Sequence, residues 1–296
     1  MDKKINCFLI GVQKAGTSSF YNWISQHPEI EGPKEMKDTH YFTLNKYFEK
    51  GNNWLESFYG NKNGATVRLQ GAVNYIFLEE APEKILAYNA ESKFIVVLRD
   101  PARRAFSAFK YFQKLGVEKR LFTESLNDEM MKPGNDDHFR NNFTYLNHGY
   151  YYKQLQNWLK YFRKEQFCIL IYEELFKNPE HYLKQVFEFL GVGADFKPQL
   201  IRKNETGEVK YMWLNRFIFA NPKLLKILKK VKVDKIISFS IRVKFLNWLR
   251  DWNTDKNRKK DDALSKEQYK ELRKNYEEDI LCLSQLLNKN LTEVWK

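Results

Sequence analysis

Cys7-Phe8-Leu9-Ile10-Gly11-Val12 runs without a break into Gln13-Lys14-Ala15-Gly16-Thr17-Ser18-Ser19, and after it Phe20, Trp23 and Ile24 recur at helical spacing. An uninterrupted apolar run of this length reads as a strand buried on both faces, the kind found in parallel sheets. The helix that follows, near 17 to 26, presents unpaired backbone N–H groups and a partial positive charge to any anion in the loop before it. Gly16 lets the backbone approach a phosphate closely, Lys14 adds a point charge, and Thr17, Ser18 and Ser19 offer hydroxyls. Gly11 and Gly16 keep the glycine spacing of the nucleotide triphosphatase pattern G-x-x-x-x-G-K-[ST], but Thr17 takes the lysine position and the lysine comes earlier, at Lys14. That displacement argues against an ordinary ATPase or GTPase.

A second apolar run, Lys93-Phe94-Ile95-Val96-Val97-Leu98, ends in Arg99-Asp100-Pro101 and leads to Ser107. Asp-Pro marks a turn, and proline is tolerated as the first residue of the helix expected there. Arg99 would stand at the carboxyl end of its strand and Ser107 about two turns into the helix, so the two could hold a second phosphate.

With both motifs present and in this order, the chain resembles the sulfotransferases that use 3′-phosphoadenosine 5′-phosphosulfate (PAPS), in particular the bacterial carbohydrate and heparan-sulfate types. The resemblance implies that Lys14, Ala15, Gly16, Thr17, Ser18 and Ser19 hold the 5′-phosphosulfate, and that Arg99 and Ser107 hold the 3′-phosphate. It continues through His27-Pro28-Glu29-Ile30, through Lys37-Asp38-Thr39-His40-Tyr41-Phe42 (similar to K-E-x-H-[FY]-F), through Gly149 to Phe162, and through Phe167 to Leu175. It ends in a carboxyl-terminal helix region from Tyr276 to Trp295. The Lys203-Asn204-Glu205-Thr206-Gly207 stretch resembles the family's late loop over the nucleotide, with Lys203 or the backbone near Gly207 toward the adenosine or the 3′-phosphate.

The resemblance implies in-line transfer of a sulfuryl group from PAPS to a carbohydrate or glycolipid hydroxyl, leaving 3′-phosphoadenosine 5′-phosphate. Lys14 is the residue expected on the bridging oxygen. Asp38 aligns with the family's glutamate and is the leading base; His40 follows, then His148 and Glu35. No metal is expected, since the family does not depend on one and no His/Cys ligand cluster is evident. Gln70 and Gly71 depart from the family, standing where a carboxylate and, in some heparan-type enzymes, a catalytic lysine are found, whereas Tyr75 is retained. A nucleotide-dependent kinase and a non-catalytic glycan- or membrane-binding protein that keeps the fold are the alternatives.

Strands are expected near 5 to 12, 67 to 76, 93 to 98 and 166 to 172. Helices are expected near 17 to 26, 79 to 88, 101 to 115, 150 to 163, 179 to 190, 213 to 229 and 265 to 288. Alternation of this kind predicts an α/β, P-loop-like three-layer fold, a central mostly parallel sheet with helices on both faces and the ligand at its carboxyl edge. With 296 residues and no Pro/Gly/Ser-rich linker, the chain is expected to form a single sulfotransferase domain over 1–296. Within it, 203–260 would supply the nucleotide-closing loop and basic amphipathic helices.

A net charge of +13 suits any anionic partner, but neither zinc-finger spacing nor an RNA-recognition signature accompanies it, so nucleic acid is not expected. Three cysteines without short spacing favour a reducing compartment, and no run reaches membrane-spanning length, which points to the cytoplasm. The basic, aromatic stretch from Trp213 to Arg250 reads first as helices packed beside the acceptor groove, and second as a peripheral contact with the inner face of an anionic membrane.

Overall fold

Five strands align side by side in parallel, in the order β2-β3-β1-β4-β5. They are β1 (Cys7–Gly11), β2 (Ile30–Glu31), β3 (Val67–Gly71), β4 (Lys93–Leu98) and β5 (Phe167–Ile171). The structure, a computed structural model, describes residues 4–34, 36–131, 144–201, 208–211, 213–215, 245, 248–249, 252–255 and 264–296. Every residue of β1 is buried, which is why its sequence is continuously apolar rather than alternating. Phe8 pairs in register with Phe94, and Phe94 with Phe167. Their rings stack at 6.0 and 4.9 Å, and Trp158 closes edge-on over Phe94 at 5.0 Å.

The chain leaves β1 toward β2 and β3 on one side and returns to place β4 and β5 on the other. The crevice outside the carboxyl ends of β1 and β4 is therefore a topological switch point, where open α/β sheets bind their ligands. Arg99 follows the end of β4 directly, and Lys14 lies three residues beyond the end of β1.

The helices begin with α1 (Thr17–Ile24), the short α2 (Asn45–Phe48) and α3 (Asn52–Glu56), α4 (Ala81–Tyr88) and α5 (Pro101–Lys114). In α1 the buried Phe20, Trp23 and Ile24 form its core face, and the Trp23 indole donates to the Ile201 carbonyl at 2.9 Å. Helix Tyr151–Trp158 buries Tyr151, Leu155 and Trp158. Helix Pro179–Leu190 opens on its proline and stops at Gly191, whose φ of 79° lies in the left-handed region. His27 closes the turn after α1: its Nδ1 accepts from the Glu29 amide, so the neutral ring carries its proton on Nε2, which donates to the Gly193 carbonyl at 2.9 Å.

By backbone proximity the chain divides into two groups, one of 1–104, 146–203 and 268–296, the other of 105–145 and 204–267. The first holds the sheet. In the second, Phe109 packs with Phe106, Phe122 and Tyr145, and buried Glu118 accepts from Arg120 and from the Tyr145 hydroxyl. Asn253 bonds both the amide and the carbonyl of Tyr211, beside the antiparallel pair Glu208–Val209 and Thr254–Asp255.

Three expected elements differ from those observed. The strand expected to 76 ends at Gly71: the Ala72 amide makes a last bond to the Leu9 carbonyl of β1, and the chain then turns into a short 3-10 segment, Tyr75–Phe77. The helix expected over 265 to 288 is two, Lys266–Lys274 and Glu277–Leu287, separated where Tyr276 drops into the core and its hydroxyl reaches the Leu146 carbonyl. The helix expected over 150 to 163 stops at Trp158, which is anchored through its indole to the Ile76 carbonyl. The helix expected over 213 to 229 lies, beyond 213–215, outside the described residues. No helix among the described residues is long and apolar enough to cross a membrane.

Candidate active site at the carboxyl edge of the sheet

The loop from Gln13 to Gly16 is shaped by two left-handed residues, Lys14 at φ 69° and Gly16 at φ 70°. Lys14 is not a glycine, and holding it there costs on the order of 1 kcal/mol. Gly16 is required twice over, since a Cβ at this position would also meet the Phe176 ring at 2.5 Å and the Tyr172 ring at 3.0 Å. Gly16 is the N-cap of α1 and no side chain caps the helix, so the amides of Thr17 and Ser18 are oriented toward the loop mouth. Thr17 and Ser19 are buried, while Lys14 and Ser18 are half-buried and Ala15 lies beneath them in the core. The result is a concave set of amides, hydroxyls and one cation suited to a compact anion.

Arg99 joins this cradle directly. Its Nη1 donates to the Lys14 carbonyl at 2.8 Å, and its guanidinium lies 4.7 Å above the Tyr172 ring. The Tyr151 hydroxyl donates to the Arg99 carbonyl at 2.9 Å. The Arg99 Nε is buried without a hydrogen-bond partner, a cost that an anionic oxygen at this position would relieve. Asp100 does not serve as the counter-ion of Arg99, because its carboxylate is used elsewhere. Oδ1 caps α5 by accepting from the Arg103 amide at 2.8 Å, and Oδ2 accepts from the Tyr269 hydroxyl at 2.5 Å. Beside it Glu173 accepts from the Asp100 amide and the Trp295 indole, and burial raises the pKa of its carboxyl despite those bonds.

The loop after β2 carries the expected bases. Asp38 Oδ1 accepts from the His40 amide at 2.8 Å and lies 3.5 Å from His40 Nδ1, while His40 itself sits at φ 55°. This Asx turn gathers two of the expected bases into one pair. Thr39 between them is buried and accepts from the Gln70 amide at 2.6 Å, which also reaches the Tyr75 hydroxyl at 2.9 Å. Gln70, a neutral group, thus ties the loop to β3. Gly71 leaves room above β3 for the Tyr21 ring and the stem of Lys37.

Ser107 is half-buried in the second turn of α5 and belongs to the second group of residues. His148 is buried and stacks on Phe77 with ring centroids 3.8 Å apart. Lys203, Gly207 and Glu35 lie outside the described residues. Sequence reasoning missed the Tyr172 platform under Arg99 and the link from Arg99 to the Lys14 carbonyl. The available signal was that Tyr172 directly follows β5, the strand next to β4.

The family model for the sulfotransferase domain matches residues 4–280. The chain belongs to the sulfotransferase family. Heparan sulfate glucosamine 3-O-sulfotransferase 5 of Mus musculus is 28% identical over 185 residues, covering 62% of this chain and 52% of the relative. The bifunctional heparan sulfate N-deacetylase/N-sulfotransferase 4 of the same species is 28% identical over 193 residues, 62% of this chain and 22% of its own length. The chain thus spans about half or less of the length of these curated relatives. Among solved structures, a sulfotransferase from Alicyclobacillus acidocaldarius superposes with a TM-score of 0.70 at 20% identity, covering 99% of this chain and 98% of the other, and so shares the fold.

Proposed function

We propose that this protein transfers the sulfuryl group of PAPS to a hydroxyl of a carbohydrate. The observation that carries the reading is the bond from Arg99 to the Lys14 carbonyl, which makes one rigid unit of the two anion-holding strand ends at the switch point. The names of the heparan sulfate relatives support a carbohydrate acceptor. The family match, which spans residues of both groups, supports reading 1–296 as one sulfotransferase domain. A glycolipid at the cytoplasmic face of an anionic membrane is the narrower form of the proposal. It is supported by the exposed Trp213, Phe245, Trp248 and Trp252 in a stretch rich in Lys and Arg.

The donor supplies an activated sulfuryl group on a good leaving phosphate. The cradle of Lys14 to Ser19 binds its 5′ end, and Arg99, with Ser107 added by the resemblance, binds its 3′-phosphate. Lys203 and Gly207 are assigned to the nucleotide by the resemblance alone. As the acceptor oxygen forms its bond to sulfur, the bond from sulfur to the bridging oxygen breaks, and Lys14 neutralises the charge that gathers on that oxygen. The acceptor proton passes to the Asp38–His40 pair. Asp38 Oδ1 holds the His40 amide and faces the imidazole, which leaves Oδ2 to receive the proton. Replacing Asp38 by Asn is expected to lower the single-turnover rate about a hundredfold with little change in nucleotide affinity. His40→Ala then separates the two roles, since a loss of rate as large as that of Asp38→Asn is expected only if the imidazole itself takes the proton.

Equilibrium titration tests the donor assignment. Adenosine 3′,5′-bisphosphate should bind tightly to the wild type and at least about tenfold more weakly to Arg99→Ala, and ATP, which lacks the 3′-phosphate, should bind poorly. Equal binding of ATP would sink the sulfotransferase reading in favour of a kinase. Transfer of labelled sulfate to candidate glycans distinguishes an enzyme from a glycan-binding protein that keeps the fold.

A further inference from the structure

Lys37 opens the loop that carries Asp38 and His40, and nothing above gives it a task. Its carbonyl accepts from the Gly71 amide at 2.9 Å, which ties it to the end of β3. Its stem crosses the bare Cα of Gly71, where a Cβ would lie 3.6 Å from Lys37 Cδ and 2.9 Å from the Tyr21 ring. By this route the ammonium reaches the first turn of α1 and donates to Ser18 Oγ at 3.3 Å.

The placement is electrostatically costly in the protein alone. The amino end of α1 carries a partial positive charge of its own, and a cation beside it adds like charge. Lys37 is partly buried, and loss of water around its ammonium lowers its pKa, with Asp38 pulling in the other direction. An anion between the ammonium and the helix end would reverse the sign of both interactions. The bond to Ser18 has a second consequence. A hydroxyl whose oxygen accepts from an ammonium turns its own proton away from that ammonium, which leaves Ser18 as a donor.

We propose that Lys37 is a second cationic contact for the 5′ anionic group of the nucleotide, holding Ser18 as a hydroxyl donor to the same group. This rests on the donor reading given above. It also gives the Gly71 departure a purpose: with no side chain at 71, a lysine from the neighbouring loop reaches the cradle across the strand end.

Titrations of adenosine 3′,5′-bisphosphate and of adenosine 3′-monophosphate into the wild type, Lys37→Met and Lys37→Arg test the assignment. Methionine keeps most of the stem over Gly71 and Tyr21 and removes only the charge. Lys37→Met should lose about tenfold to a hundredfold in affinity for the bisphosphate. It should match the wild type for the monophosphate, which lacks the 5′ group, and Lys37→Arg should recover most of the loss. Wild-type affinity for the bisphosphate should also fall as pH rises through the lowered pKa of Lys37. That fall should be absent in Lys37→Met and displaced to higher pH in Lys37→Arg. Undiminished bisphosphate binding by Lys37→Met, or an equal loss for both ligands, overturns the assignment and leaves the donor reading standing. A folded wild type that binds neither nucleotide overturns the donor reading and this inference with it.

Discussion

Lys14→Ala should reduce the single-turnover rate of sulfuryl transfer about a thousandfold, roughly 4 kcal/mol of transition-state stabilisation. The charge on the bridging oxygen is small in the ground state and grows as the bond to sulfur breaks, so an ammonium aimed at that atom acts mainly on the rate. Nucleotide affinity should fall far less, because the amides of the first turn of α1 and the Arg99 guanidinium are untouched. Alanine is the informative substitution. It carries a Cβ as lysine does, so the left-handed backbone at φ 69° is strained to a similar degree in both proteins. Glycine would release that strain and confound the comparison. If the variant weakened nucleotide binding about as much as it slowed transfer, Lys14 would be a ground-state contact and its catalytic assignment would fail.

Trp23→Ala should destabilise the protein by about 3–5 kcal/mol. Trp23 is 1% exposed, its indole nitrogen bonds to the Ile201 carbonyl at 2.9 Å, and its ring packs on Phe176 at 5.1 Å. Truncation leaves a cavity under α1 and an unpaired carbonyl, and Phe176, which bears on Gly16, loses its support. The midpoint of thermal unfolding should fall by roughly 10 °C. Adenosine 3′,5′-bisphosphate should restore part of this, by ~1.4 kcal/mol for each tenfold excess over its dissociation constant. A midpoint within a degree or two of the wild type would show that α1 is not held to the sheet through Trp23.

What could be read from the chain alone follows from how local each signal is. β1, the cradle and α1 were legible because an unbroken apolar run, a glycine and a helical stripe follow one another within twenty residues. β4 and the start of α5 were legible for the same reason, with Asp100-Pro101 as punctuation. β2 was not, since two residues, Ile30 and Glu31, show no periodicity. The break at Tyr276 was hidden because its cause is a bond to Leu146, 130 positions away. In the site, the pairing of Asp38 with His40 is a short-range turn and both residues were named beforehand. The arrival of Lys37 at Ser18 depends on what Gly71 lacks, and on the Tyr21 ring beside it, which no motif spacing encodes.

The contact between Arg99 and the Lys14 carbonyl bears on how a nucleotide with two phosphate ends is gripped. On the donor reading, one guanidinium contributes to both ends, to the 3′ end by contact and to the 5′ end by fixing the loop. On the donor reading, occupancy at either end stiffens the other, so the two phosphates contribute cooperatively rather than additively to affinity. A nucleotide bearing one phosphate loses its own missing contact and also the coupling. Abundant mononucleotides would thereby be discriminated against by more than the count of their contacts.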